Sequence, residues 1–135
     1  MRMTSRVASC SCGQLRLTCE GDPVRISICH CLECQKRTGS IFAVQARFPR
    51  DHVTIEGTSS QWSRTGDSGT TATFHFCPVC ASIVYWDMNA APDFVAVAVG
   101  AFADPSFPPP HVSVYEERQH TWAAAVGELP LERYL

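Results

Sequence analysis

Seven of the eight cysteines in this chain fall into three short clusters, and no other feature of the sequence constrains the fold as strongly. The clusters are Cys10-x-Cys12, Cys29-x-Cys31-x-x-Cys34 and Cys77-x-x-Cys80, with Cys19 standing alone. A disulfide needs two Cα atoms about 5.5 to 6 Å apart in a restricted geometry, whereas a tetrahedral zinc takes two thiolates from one tight turn and two from elsewhere. Close spacing therefore favours a metal. Residues 1–6 carry no apolar core of the kind an export signal needs, so a reducing, cytoplasmic compartment is expected, which points the same way.

Seven clustered thiolates exceed what one tetrahedral ion can hold, so two zinc ions are expected. Cys77-Pro78-Val79-Cys80 lies between two strand-like runs, residues 70–76 and 82–86, and reads as a knuckle at a hairpin tip. Redox chemistry at a Cys-x-x-Cys needs a helix starting at the first cysteine, and none follows here. Cys10 and Cys12 complete a four-thiolate site if the first strand returns beside the knuckle; iron fits the same cage. The middle cluster offers three thiolates within six residues, and three protein ligands with one open position is the arrangement of a catalytic zinc. Cys19 could close that site, but it continues the apolar face of Leu15 and Leu17 and is expected in the core. His30 sits between two ligands and reads as a neighbour. His52, His75, His111 and His120 read as surface or hydrogen-bonded histidines, with a distant fourth ligand among them left open.

A chain of 135 residues predicts one domain, residues 1–135 with a core at about 9–122, and its 45% hydrophobic content excludes general disorder. A net charge of -2 with no run of either sign leaves no footprint for nucleic acid, and no apolar stretch is long enough for a membrane span. Strand signals dominate, at residues 14–19, 24–28, 41–48, 52–56, 61–64, 70–76, 82–86, 94–99 and 111–115. One helical turn is expected over residues 33–37, a hairpin turn at 66–69, a stiff proline-rich loop at 104–110 and a loose tail from Gly127. Val95, Val97 and Val99 alternate with Ala96 and Ala98, so that strand is expected to be covered on both faces. The fold class is all-β.

The motifs Ser9-Cys10-Ser11-Cys12-Gly13, Cys29-His30-Cys31-Leu32-Glu33-Cys34-Gln35-Lys36-Arg37-Thr38-Gly39 and Phe76-Cys77-Pro78-Val79-Cys80 recur in order, followed by Val97-Ala98-Val99-Gly100 and Pro108-Pro109-Pro110-His111. Together they resemble the glutathione-dependent formaldehyde-activating enzyme family. The resemblance implies a β-tent of packed antiparallel sheets. It also implies a structural zinc on Cys10, Cys12, Cys77 and Cys80, and a catalytic zinc on Cys29, Cys31 and Cys34. The reaction it implies is addition of glutathione to formaldehyde, giving S-hydroxymethylglutathione. One departure is Ala81, where the family usually has Gly, so the turn there must avoid a positive φ or carry strain.

Three thiolates around a dication blunt its power as a Lewis acid toward water. The open position suits a substrate thiol, which arrives as thiolate, stays nucleophilic and is held beside an aldehyde carbonyl. The expected activity is thus that of a zinc-dependent carbon-sulfur lyase, with a small thiol and a small aldehyde as partners. Lys36 and Arg37 follow on Cys34 and are either the cations that hold the carboxylates of glutathione or two solvated charges. Two other readings remain: a zinc enzyme for a different thiol or aldehyde, and a zinc-stabilised binding module using Trp62, Trp86 or Trp122 as exposed anchors. Homo-oligomerisation is left open.

Overall fold

Short runs of alternating apolar residues, cut by Gly and Pro turns, become ten strands in the computed structural model, which describes residues 4–134. Residues 1–3 of the N-terminal segment and Leu135 of the tail lie outside the described residues. β1 (Ser5–Ser9), β2 (Arg16–Glu20) and β5 (Val53–Glu56) form an antiparallel sheet in the order β1-β2-β5. The second sheet holds β3 (Arg25–Cys29), β4 (Ala43–Pro49), β6 (Ser60–Thr65), β7 (Thr71–Phe76), β8 (Ile83–Met88), β9 (Phe94–Ala98) and β10 (Val112–Val114). Its order is β10-β3-β4-β9-β8-β7-β6. The architecture is mainly β, as expected, with one α-helix among the described residues, α1 (Leu32–Thr38).

Three details differ from the sequence reading. β1 was not foreseen, because Ser5–Ser9 offers only Ala8 to the core and is held chiefly by backbone pairing to β2. β10 pairs in parallel with β3, Val112 opposite Ser27, whereas the other pairings are antiparallel. Short 3-10 turns occupy Arg50–His52, Val99–Phe102, Glu116–Arg118 and Ala123–Glu128. The last of these gives part of the expected loose tail a turn of structure, and Arg133 donates to the carbonyls of Gly127 and Leu129.

The two sheets meet over one apolar cluster. Leu15, Leu17 and Cys19 are fully buried, as their alternation requires, against Phe48, Val84, Val95 and Val97 of the larger sheet. Each such Leu, Val or Phe contributes about 1.5 to 3 kcal/mol by leaving water. Val95 and Val97 face that cluster, while Ala96 joins Phe74 and Trp86 in a second one on the opposite face, so β9 is covered on both sides. The first cluster positions the start of the chain against the β7–β8 hairpin; the second forms the floor beneath α1.

Gly57 is required for this arrangement. Its φ is +99°, and a Cβ there would lie 1.9 Å from the Gln14 carbonyl oxygen, so only glycine lets the turn after β5 approach residue 14. No helix among the described residues is long and apolar enough to cross a membrane.

Candidate functional site

The turn after β1 brings Cys10 and Cys12 against the tip of the β7–β8 hairpin, which carries Cys77 and Cys80. Backbone bonds set both turns: Cys10 N–H donates to the Leu15 carbonyl (3.0 Å), Cys77 N–H to the Ser82 carbonyl (3.0 Å), and Ala81 N–H to the Cys77 carbonyl (2.8 Å). The four sulfur atoms all lie within 4.8 Å of one another. Cys12 Sγ is 3.6 Å from Cys10 Sγ and 3.6 Å from Cys77 Sγ. Zinc–sulfur bonds of about 2.3 Å give a tetrahedron with edges of about 3.8 Å, so this spacing fits a four-thiolate ion, whereas a disulfide needs about 2.05 Å.

Donors converge on these sulfurs. Leu15 N–H points to Cys10 Sγ (3.3 Å), Val79 N–H to Cys77 Sγ (3.3 Å), and the Gln14 side-chain amide to Cys77 Sγ (2.9 Å). Hydrogen bonds of this kind favour thiolate over thiol. Hydrogen bonding with Ser82, through its hydroxyl and then its backbone, brings the Cys80 thiol down to about 5. Ala81 settles the question raised by its side chain: it adopts φ +67°, so the turn carries strain rather than avoiding it. Left-handed backbone at a residue with a Cβ costs about 1 to 2 kcal/mol.

The second cluster is built from a strand end and a helix start. Cys29 is the last residue of β3, Cys31 is the N-cap of α1, and Cys34 lies in its first turn. Cys31 has extended backbone, and its sulfur accepts the Cys34 N–H at 3.3 Å, which satisfies one of the free donors at the helix start. Gly39, at φ +70°, closes the helix with its N–H on the Gln35 carbonyl. The sulfurs of Cys29, Cys31 and Cys34 lie within 4.8 Å of one another, and no other His, Cys, Asp or Glu joins them among the described residues. Hydrogen bonding with Cys29 is the main cause that draws Cys34 down to about 5, helped by Cys31 and by the charge of Arg37 against the opposing effect of burial. The same hydrogen bond, with burial, pushes Cys29 far up.

Arg37 is not a solvated charge. Its guanidinium carbon sits 4.4 Å from the Phe74 ring centre and 4.6 Å from that of Trp86, and its Nη2 donates toward Cys34 Sγ at 3.5 Å. Lys36 is exposed and lies 3.7 Å from Glu33, which Arg64 of β6 also approaches at 3.5 Å. A cavity of about 200 Å³ has Cys29 and Cys34 in its wall, together with Arg37, Gln45, Arg64 and Tyr115. A second cavity of about 600 Å³ shares Cys34, Arg37, Arg64 and Phe74 with it and extends past Lys36 to Trp62.

The remaining candidates fall elsewhere. Cys19 is fully buried with Leu15 and Leu17 and belongs to neither thiol cluster; burial raises its pKa to about 11. His30 is buried beside Phe42. His75 Nε2 bonds Asp87 at 2.7 Å, and His120 Nε2 meets Gln35 Oε1 at 2.9 Å. Trp86 is buried under Arg37, while Trp62 and Trp122 are exposed. Arg64, Gln14, Gln45 and Tyr115 were not anticipated. Gln14 follows the first cluster directly, and that adjacency is a usable signal; the other three reach the site from distant strands and loops.

Comparison with known proteins places the fold and family. The family model described as glutathione-dependent formaldehyde-activating enzyme matches residues 5–118. No curated protein gives a significant match. A crystal structure of a Rhodobacter sphaeroides protein superposes with a TM-score of 0.54 at 17% identity, covering 76% of this chain and 91% of that one, which is a likeness of fold.

Proposed function

The chain belongs to the glutathione-dependent formaldehyde-activating enzyme family, and from that premise we propose that it adds a thiol, glutathione or another, to formaldehyde or a similar small aldehyde. The observation that carries this reading is the convergence of the Cys29, Cys31 and Cys34 sulfurs beside a cavity whose wall holds Cys29, Cys34 and two arginines. Three thiolates at this spacing suit zinc, and zinc held by them would supply a soft position at which a thiol is bound as thiolate. Cys10, Cys12, Cys77 and Cys80 form the structural counterpart, with every ligand position filled by protein.

The chain's own residues account for the rest. In the addition, a sulfur–carbon bond forms, the carbonyl π pair moves to oxygen, and that oxygen takes up the proton lost by the thiol. No redox change occurs. Arg37, resting over the Phe74 and Trp86 rings, is a cation beside Cys34 that can stabilise negative charge in the cavity. Arg64 lines both cavities and can receive a carboxylate of the thiol. In this reading the carboxylate holders are Lys36, on the outer rim, and Arg64, with Arg37 resting on the two rings nearest Cys34.

Calorimetry with glutathione in two buffers of different ionisation heat tests the reading. Binding that releases a proton, and that Cys31→Ser abolishes, is expected. Absence of thiol binding at millimolar concentration with zinc present would contradict it.

A further inference from the structure

The larger cavity pairs a carboxylate site with a wall that suits an apolar group better than a peptide backbone. Trp62, Phe74, Phe76 and Ile83 form its apolar wall, and no uncharged amide or hydroxyl side chain lines it. Trp62 stands 54% exposed on the edge strand β6, with its ring stacked on Phe74 at 6.0 Å and 24°, so an aromatic surface is presented to the cavity with nothing covering it. Peptide amides set against Phe74, Phe76 and Ile83 would leave water without a partner there, and only the charged side chains of the lining could pair with them. The charges are just as uneven. Lys36, Arg37 and Arg64 outnumber Glu33 in its lining, an excess of two cations that the Cys34 thiolate reduces to one. At about 600 Å³ the cavity has the size usual for a small organic ligand.

We propose that this cavity selects a substrate with a flat apolar body and a carboxylate, an arylalkanoate-type group, so that the thiol or aldehyde handled at the cysteine cluster carries an aromatic ring. The proposal rests on the thiol-addition reading and specifies its substrate class. The ring lies against Trp62 and the apolar wall, and the carboxylate pairs with Arg64, whose present partner Glu33 keeps Lys36. Such a ligand satisfies both features of the wall at once: its carbon surface covers the indole, and its single anion offsets the excess of cations.

The test uses the zinc-loaded full chain and 3-phenylpropionate, which has neither thiol nor aldehyde, with 3-phenylpropanamide and propionate as controls, followed by NMR titration. The acid should bind at millimolar concentration or below, with the amide and propionate each about tenfold weaker or more, the size of one charge-assisted hydrogen bond or one buried ring face. Arg64→Met should weaken the acid but not the amide, and Trp62→Ala should weaken both; both positions are on an edge strand, and melting curves verify that the variants fold. No binding of the acid up to about 10 mM, equal binding of acid and amide, or unchanged binding in both variants would overturn the proposal. Because the probe has no sulfur, its result is separate from thiol binding: thiol binding without 3-phenylpropionate binding sinks only this substrate class, whereas 3-phenylpropionate binding without thiol binding sinks the thiol-addition reading and the substrate role built on it, leaving only the cavity's preference for an aryl carboxylate.

Discussion

The Gln14 side-chain amide donates to Cys77 Sγ at 2.9 Å, across 63 positions of sequence. The same nitrogen donates to the Thr58 carbonyl at 2.7 Å, and Gln14 Oε1 accepts the Thr58 N–H at 2.9 Å. One side chain thus joins the first cysteine turn, the loop after β5 and the hairpin knuckle. Gln14→Ala should lower stability by about 1.5 to 3 kcal/mol, the worth of a hydrogen bond to a charged partner. It should also weaken zinc retention about tenfold or more, as loss of a residue supporting metal ligands does. Thermal melts and competition with a chromophoric chelator measure the two effects; a variant identical to the parent in both would remove Gln14 from the site.

Cys77→Ser and Cys34→Ser should separate the two clusters. A metal shared by Cys12 and Cys77 closes a loop of 65 residues, worth about 4 kcal/mol by analogy with a disulfide. Losing it should melt the protein or prevent soluble expression. Cys34→Ser should leave a folded chain that retains one zinc. Elemental analysis should give close to two zinc ions for the parent, and chelation should lower its melting temperature strongly. Cys19→Ala, by contrast, should leave the zinc content unchanged while destabilising the core by about 1 kcal/mol.

Two backbone substitutions have opposite expected signs. Gly57→Ala forces a Cβ into the Gln14 carbonyl, 1.9 Å away, and should be severely destabilising. Ala81→Gly relieves a left-handed alanine at φ +67°, and against the added freedom of glycine when unfolded it should stabilise by up to about 1 kcal/mol. Denaturant unfolding of the pair decides both.

The alternation of Leu15, Leu17 and Cys19 was enough to place one face of β2 in the core, and the spacing of seven cysteines anticipated the two groups that the fold assembles. These are local patterns, and local patterns are what a sequence displays. β1 left no such trace because its partner supplies its hydrogen bonds and only Ala8 is buried. Arg64 was invisible for another reason: it lies on β6, and its position opposite α1 depends on the order of strands in the sheet. The role of Arg37 was half legible. Its place after Cys34 marked it as a cation near the site, but the aromatic surface it rests on is made by Phe74 and Trp86, which come from two later strands.

The central claim, thiol addition to an aldehyde beside Cys29, Cys31 and Cys34, is tested most directly by exchange NMR with 13C-labelled formaldehyde and a thiol. The parent, loaded with zinc, should accelerate interconversion of free formaldehyde and the hydroxymethyl adduct well beyond the uncatalysed rate, and Cys31→Ser should return it to that rate. Equal exchange with and without the parent protein, or acceleration that survives Cys31→Ser, would contradict the account.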